Sequence, residues 1–266
     1  QNCAVTGIRR GRAISHPLMD IIAQLNSLEP KSNWQYFIPQ VLATPPDDAE
    51  DNTHLAFLWN HSEVRLKHVF EMPLPNQVLA GKDLFERTPL VGYFATVLPD
   101  GTEGNDFVLV NVHLASGQDN DENHLIAMTL LEYELSDALA AQAINEEDVV
   151  ILGDLNDNPY HKRTDGTPRY SQAMHAHMAF KGYTNLVSPT IRTTRVNSRL
   201  DSLIDHVLAN DHALEHLGDK FATPTLPPGG LKKEKELIAW RTTFSDHFPL
   251  SFEMKVTPDE DADFFD

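Results

Sequence analysis

The sequence predicts one mixed α/β domain, and three observations support that prediction. A chain of 266 residues with 41% hydrophobic content can bury a substantial core. Short apolar runs rich in β-branched residues alternate with longer stretches that have helical spacing. No repeat, low-complexity block or long linker divides the chain. We therefore expect a single domain over residues 1–256, followed by a frayed acidic tail over residues 257–266.

The first third of the chain alternates short strands with one helix. Ser15 is followed by His16 and Pro17, which is typical of a helix N-cap with proline in the first turn. Apolar residues then follow at helical spacing, which predicts a helix from His16 to Leu28. Residues 73–83 are expected to form a loop. The predicted strands of this part are Cys3–Ile8, Trp34–Ile38, Leu55–Trp59 and Val64–Met72.

A hairpin and a buried strand are the main predicted elements of the remaining chain. The segments Thr88–Val97 and Asp106–Leu114 flank a Pro-Asp-Gly turn and predict an antiparallel hairpin. Val149–Leu152 holds four apolar residues, three of them β-branched, which is typical of a strand buried on both faces. The other predicted elements are helices over Asp119–Gln142 and Ser171–Lys181, and strands over Ser202–Leu208 and Phe244–Val256.

Four of the predicted strands carry His, Asp or Asn residues near one end. Gly153 relaxes the backbone after the buried strand, so Asp154 and Asn156 can project toward one side. A carboxylate and an amide at a strand end suit a hard divalent cation and a phosphate oxygen. Each segment alone is also typical of a turn or of a structural histidine. Their occurrence together indicates a site, built from Asn111-Val112-His113, Gly153-Asp154-Leu155-Asn156, Ile204-Asp205-His206 and Ser245-Asp246-His247.

Taken together, these four segments resemble the signatures of the DNase I-like endonuclease/exonuclease/phosphatase superfamily. Arg87-Thr88-Pro89 also matches the Arg-x-Pro strand entry of that superfamily, and the resemblance runs in family order from about Val5 to Phe252. It implies a four-layered α/β sandwich, in which two mixed β-sheets pack face to face with helices outside. The resemblance is specific for the superfamily but not for the substrate, because nucleases, phosphoinositide phosphatases and sphingomyelinases share these motifs.

The resemblance also implies a role for each residue of the site. His247 would be the general base that activates water, and Asp205 would orient it. His113 would bind the scissile phosphate. The implied catalytic set is His113, Asp154, Asn156, Asp205 and His247; the implied metal ligands are Asp246, Asp154 and Asn156; and the implied substrate-binding residues are Arg87 and Asn111. The expected cofactor is Mg²⁺, with Mn²⁺ or Ca²⁺ as alternatives.

Two acidic positions of the family pattern are missing here, and the family's first strand has no counterpart ahead of Gln1. One of the two positions lies just before the Leu55–Trp59 strand, where this sequence has Thr53. Family members carry a metal-binding glutamate at the end of an early strand, and Gly7 occupies that place here. A missing carboxylate weakens the binding of a divalent cation, so the sequence leaves a catalytically impaired family member, acting as a binding module, as an alternative.

The expected function is a Mg²⁺-dependent phosphodiesterase that acts as an endonuclease on DNA. The alternative within the enzyme class is a phosphatase or phosphodiesterase on a lipid or small phosphate ester. A formal net charge of −18 argues against a basic surface that grips nucleic acid, although a metal-dependent site is itself acidic. The single cysteine, Cys3, excludes an intramolecular disulfide and a cysteine-based zinc site.

The sequence leaves the compartment and the oligomeric state open. No apolar run approaches the roughly 20 residues that span a bilayer, so no membrane partner is expected. No secretory leader is visible at Gln1, which leaves a cytoplasmic chain, an already processed secreted one, or a truncated sequence.

Overall fold

The structure is a computed structural model, and it describes most of the chain. The described residues are 3–4, 7–9, 12–39, 53–74, 78–79, 82–116, 121–160, 172–188, 190–191, 194–195, 202–218, 221–224, 236, 238–239, 241 and 245–259. Their strands are β1 (Cys3–Ala4), β2 (Gly7–Arg9), β3 (Arg12–Ile14), β4 (Trp34–Phe37), β5 (Thr53–His54), β6 (Phe57–Asn60), β7 (Val64–Glu71), β8 (Val78–Leu79), β9 (Lys82–Asp83), β10 (Phe85–Val97), β11 (Glu103–Leu114), β12 (Val149–Asp154), β13 (Tyr183–Asn185), β14 (Asp205–Asn210), β15 (Thr223–Pro224) and β16 (Leu250–Ser251). The helices are α1 (His16–Leu28), α2 (Asp121–Ala141), α3 (Ala173–Phe180) and α4 (Asp211–Glu215).

A six-stranded mixed sheet forms the centre of the molecule, in the order β13-β14-β12-β11-β10-β7. Strands β10 and β11 form the predicted antiparallel hairpin. Strands β11 and β12 are parallel, and helix α2 lies between them in the chain. A parallel pair needs such a crossover, because a tight turn can join only antiparallel neighbours. The remaining pairs in the sheet are antiparallel.

The two faces of this sheet pack against different layers. Along β12, Val149 and Ile151 join the core cluster that contains the inner faces of α2 and α3, while Val150 joins a cluster on the opposite side. Val149, Val150 and Ile151 are all buried, as predicted for a strand covered on both faces. Burying each such side chain contributes roughly 1.5–3 kcal/mol.

Two short strand pairs cover the face opposite to α2 and α3. The β4–β6 pair contributes Phe37 and Phe57 to a cluster with Leu90 and Phe94 of the sheet. The β15–β16 pair lies beside a second cluster, to which Leu250 contributes. Helix α1 packs on β4 outside this layer. The predicted mixed α/β class of the DNase I-like type is confirmed. In the described part of the chain, short pairs take the place of a continuous second sheet.

The prediction of a strand over Phe244–Val256 is wrong for most of its described length. Only Leu250–Ser251 forms a ladder, because Pro249 lacks an N–H and the flanking backbone bonds go to separate partners. The Phe248 N–H donates to the Thr194 carbonyl, and the Glu253 carbonyl accepts from Gly218. The loop expected over residues 73–83 contains the β8–β9 pair, whose two-residue strands are too short to leave a periodic signal.

Candidate active site

Four of the predicted site residues form one row across the edge of the central sheet. In the strand registers, Arg87 of β10 lies opposite His113 of β11, His113 opposite Asp154 of β12, and Asp154 opposite Asp205 of β14. Adjacent strands are about 4.8 Å apart, so the sheet alone brings these residues together. They come from distant parts of the sequence and meet because of the strand order.

His247 joins this row from the C-terminal segment. Its Nδ1 lies 2.7 Å from Oδ2 of Asp205, and its backbone N–H donates to Oγ of Ser245 over 3.0 Å. The Nδ1–H therefore donates to the carboxylate, which fixes the orientation of the ring and leaves Nε2 with the lone pair. An imidazole held in this way can accept a proton at Nε2.

The Asp154 carboxylate lies between the two histidines. Its Oδ2 is 3.7 Å from Nε2 of His113 and 3.8 Å from Nε2 of His247. Gly153 permits this position, because it has φ +141° and a Cβ there would come within 1.9 Å of the Val112 carbonyl oxygen. An L side chain at residue 153 would meet both the strained backbone and the neighbouring strand.

Asn156 also lies at the site, in a left-handed conformation with φ +48°. Its backbone N–H donates to Oδ1 of Asp154 over 2.9 Å, and its side-chain Nδ2 donates to the Leu114 carbonyl over 2.9 Å. One of the two amide N–H groups thus donates to the backbone. The second N–H, as a donor, and Oδ1, as an acceptor, can each meet a ligand.

Asp246 and Arg195 lie at the rim of the site. Oδ2 of Asp246 is 4.0 Å from Nε2 of His247 and 3.6 Å from Nη2 of Arg195, and both side chains are about half exposed. The backbone of Arg195 bridges to both Ser202 and His247. Sequence analysis missed Arg195, because it lies in a stretch without strand periodicity and its backbone is held at the site by bridges to residues distant from it in the sequence.

Thr194, also missed from the sequence, supports the start of β14. Its side chain is fully buried, and its Oγ1 accepts from the N–H groups of Ile204 and Asp205, both over 3.0 Å. The Asp205 backbone is therefore fixed by a hydroxyl that belongs to the neighbouring loop. Nothing in the local sequence marks a threonine for this role.

The other predicted residues lie farther from Asp154 or are described only in part. Asn111 is buried two residues before His113 and donates from Nδ2 to the Ala56 carbonyl over 3.4 Å. Arg87 donates to the carbonyl of Glu86. Gly7 lies in β2 opposite Ile14, in a pair outside the six-stranded sheet. Its match to the family's glutamate stays a prediction.

The environment of the site shifts the pKa values of three groups. Burial, followed by the charge of Asp205, raises the pKa of Asp154 to about 7. Burial alone would lower the pKa of His247, but the hydrogen bond and charge of Asp205, with Asp154 and Asp246, raise it. Burial lowers the pKa of His113; the Glu86 carboxylate opposes this shift and Arg87 adds to it. His113 is consequently neutral at physiological pH.

Three side chains of the site could together hold a metal ion. Asp154, Asp205 and His247 offer ligand atoms that lie within 4.8 Å of one another. The predicted metal ligands are Asp246, Asp154 and Asn156, and only Asp154 occurs in both sets. In the structure, Oδ2 of Asp205 accepts a hydrogen bond from the His247 ring. Carboxylate and amide oxygens of this kind suit a hard divalent cation. The donor set therefore fits such an ion.

Comparison with known families places the chain in a class of hydrolases. Residues 48–247 match the Endonuclease/Exonuclease/phosphatase family, and the protein belongs to that family. Its members are hydrolases that act on phosphoesters, and they generally use a divalent metal. Comparison with curated protein sequences gives no significant match. No helix in the described ranges has the length and apolarity to cross a bilayer.

Solved structures share the fold at low sequence identity. A conserved protein of unknown function from Enterococcus faecalis V583 is 16% identical, with 89% of this chain and 81% of that chain covered and a TM-score of 0.50. The mannosyl-6-phosphatase of Bacteroides thetaiotaomicron VPI-5482 is 14% identical, with 89% and 82% covered and a TM-score of 0.50. An endonuclease/exonuclease/phosphatase family protein from Bacteroides thetaiotaomicron is 14% identical, with 88% and 79% covered and a TM-score of 0.50. At these identities the likeness establishes the fold alone.

Proposed function

We propose that this protein is a divalent-metal-dependent phosphodiesterase that acts as an endonuclease on DNA, with a water molecule activated by His247. The observation that supports this most directly is the 2.7 Å hydrogen bond from Nδ1 of His247 to Asp205, beside the Asp154 carboxylate. A carboxylate–imidazole pair with a free Nε2 is an arrangement suited to general base catalysis.

The proton of the attacking water passes to Nε2 of His247. Oδ2 of Asp154 lies 3.8 Å from this nitrogen, too far for a direct hydrogen bond. A water molecule that lies to one side of the line joining the two atoms can hydrogen-bond to both of them. Asp154 thus orients the nucleophile, and Asp205 stabilises the imidazolium that forms when His247 takes the proton.

The phosphate group lies on the His113 side of the row. A neutral His113 donates a hydrogen bond to one non-bridging oxygen, and the second N–H of the Asn156 amide, whose first N–H donates to the Leu114 carbonyl, donates to another. Arg87 and Arg195 supply positive charge at the two ends of the site. These donors stabilise the charge that builds on phosphorus-bound oxygens during in-line attack.

The chain offers Asp154, Asp246 and Asn156 as ligands for a divalent cation. When bound, such an ion polarises the phosphoryl oxygen and neutralises charge in the transition state. Mg²⁺ is the first ion to test, because the donors are oxygens.

A small phosphate ester or a lipid headgroup is the second candidate substrate. The net charge of −18 disfavours the extended backbone contacts by which proteins hold DNA. The arginines named at the site, Arg87 and Arg195, are sufficient for a single phosphate group. A phosphatase or phosphodiesterase on a small ester would need no basic surface beyond them.

The first prediction compares wild type with His247→Ala in plasmid nicking with Mg²⁺, Mn²⁺ or Ca²⁺. Loss of a general base lowers the rate by about 10²–10⁴-fold, and we expect a reduction in that range with the fold retained. His212→Ala is the matched control, because His212 is an exposed residue of α4. Circular dichroism melts establish that each variant is folded.

The same preparations distinguish the alternatives. Release of phosphate from phosphoinositides or small monoesters, without plasmid nicking, would favour the second candidate. Wild-type protein that cleaves none of these substrates with any of the three ions would contradict an enzymatic function and favour a binding module. Equal nicking by wild type and His247→Ala would exclude His247 as the base.

A further inference from the structure

His206 is a buried histidine that the proposed mechanism does not use. It follows Asp205 in β14, so its side chain points to the opposite face of the strand, and it is fully buried. Its Nε2 lies 2.8 Å from the Asp157 carbonyl oxygen, and its Nδ1 lies 3.0 Å from Nδ2 of Asn185. Both ring nitrogens are therefore hydrogen-bonded within the core.

The hydrogen-bond pattern fixes the tautomer of this ring. Oδ1 of Asn185 accepts from the Val187 N–H over 3.0 Å, so the Asn185 amide presents its NH₂ group to His206. Nδ1 of His206 must then be the acceptor, which places the ring proton on Nε2. That N–H donates to the carbonyl of Asp157. Burial lowers the pKa of His206, which agrees with a neutral ring.

Two hydrogen bonds from the β14 region hold the loop after β12, one on each side of Asn156. On one side the Leu155 N–H donates to the Ile204 carbonyl over 2.9 Å. On the other side His206 donates to the Asp157 carbonyl. Asn156 between them has a left-handed backbone, which asparagine adopts more readily than other non-glycine residues, and the two bonds fix the peptides on either side of it.

We propose that His206 is a positioning residue, which holds the Asp157 peptide so that Asn156 stays beside Asp154 in the active site. This inference rests on the proposed function. The same strand orients the base through Asp205 and the loop through His206. A shift of β14 would therefore displace both halves of the site.

The matched variants are His206→Gln and His206→Asn. The Gln amide nitrogen can occupy the place of Nε2 and still donate to Asp157, whereas the Asn side chain ends near the place of Nδ1 and cannot reach that carbonyl. We expect His206→Asn to lower kcat for DNA cleavage at least tenfold with KM changed less than twofold. His206→Gln should keep kcat within threefold of wild type. His212→Asn, an exposed change, is the control.

Both variants are expected to melt at lower temperature than wild type, because each keeps only one of the two ring hydrogen bonds: His206→Gln loses the acceptor for Asn185, and His206→Asn loses the donor to Asp157. Activity is therefore measured per folded molecule and well below both melting temperatures. A merely structural role predicts equal losses of kcat in the two variants, or none in either. Either result would overturn the proposal.

Nuclear magnetic resonance tests the contact between His206 and the loop independently of catalytic turnover. The ¹⁵N shifts of the His206 ring should indicate a neutral ring protonated at Nε2, and the backbone amides of residues 155–158 should shift in His206→Asn and much less in His206→Gln. A ring protonated at Nδ1, or equal shifts in both variants, contradicts the proposal. If wild type does not cleave DNA, the proposed function fails and this measurement still tests the loop contact. If His206→Asn does not fold, the proposal is tested by the ¹⁵N shifts of the wild-type His206 ring and by the amide shifts and kcat of His206→Gln.

Discussion

At the scale of single residues, Asp154 is the carboxylate that lies close to both histidines of the site. Its Oδ2 lies within 3.8 Å of Nε2 in both His113 and His247. Its pKa of about 7 means that folding favours the protonated acid relative to an unfolded carboxyl group, whose pKa is 3.8. The contribution of Asp154 to stability is complete below pH 3.8 and is lost as the pH rises through about 7.

The second prediction follows from this loss of stability with rising pH. Asp154→Asn cannot ionise, so it avoids the loss of stability that the wild type suffers as the pH rises. Between pH 5 and pH 8.5 we expect the free energy of unfolding of the variant to rise relative to that of wild type by roughly 2–3 kcal/mol, because the unfolded carboxyl is already ionised at pH 5 and the folded one ionises only near pH 7. Urea unfolding in the presence of a chelator measures this difference.

The exposed Asp137→Asn change in α2 is the control for Asp154→Asn and should shift stability equally at both pH values. The same Asp154→Asn variant should lose DNA cleavage, because the amide no longer provides the carboxylate. A variant that is equally destabilised at pH 5 and pH 8.5 would show that Asp154 is ionised throughout this range.

At the scale of elements, the end of β12 depends on the close approach of two parallel strands. Gly153 meets the Val112 carbonyl of β11 where any Cβ would overlap it, and the residue that follows is Asp154. The parallel pairing and the position of the carboxylate therefore have one common requirement, the absence of a side chain at residue 153.

The third prediction compares Gly153→Ala with Gly101→Ala. Gly101 also has a positive φ, +86°, but no atom lies within 4 Å of its hypothetical Cβ. Gly101→Ala should cost roughly 1–2 kcal/mol, the strain of the left-handed backbone alone. Gly153→Ala adds overlap with the neighbouring strand, and we expect a loss of about 3 kcal/mol or more. Chemical denaturation measures both, and equal losses would mean that β11 and β12 can separate without cost.

The sequence could predict the elements that carry their own periodicity, such as α1, α2 and the β10–β11 hairpin. It could also predict Asp154, because the carboxylate directly follows a buried strand. Arg195 and Thr194 could not be found in this way, because they meet the site through bridges to Ser202, His247 and Phe248. Such contacts depend on the final docking of loops. No local sequence pattern predicts these contacts.

At the scale of the whole molecule, the formal net charge is −18, and a divalent cation bound at the site would reduce this excess of negative charge. The fourth prediction concerns Gly7, which the family pattern aligns with a metal-binding glutamate. We expect Gly7→Glu to tighten Mg²⁺ binding, because Mg²⁺ prefers carboxylate oxygens. The rise in melting temperature that saturating Mg²⁺ produces should increase accordingly.

Calorimetric titration of Mg²⁺ into wild type and Gly7→Glu gives the two affinities directly. Gln24→Glu adds the same single charge on the exposed side of α1 and serves as the control. A Gly7→Glu protein that is less stable but has unchanged affinity would mean that residue 7 needs glycine for its backbone and does not face the metal.

The late position of His247 in the chain has a consequence for biosynthesis. All six strands of the central sheet lie between Val64 and Asn210, whereas His247 is held in the segment 245–248 through Ser245, Arg195 and Thr194. Chains fold as they emerge from the ribosome, with N-terminal parts first. A nascent polypeptide can thus complete its sheet while the imidazole is still within the ribosomal tunnel. Under the proposed mechanism, hydrolytic activity appears only after residues 245–248 have left the ribosome and docked on the sheet.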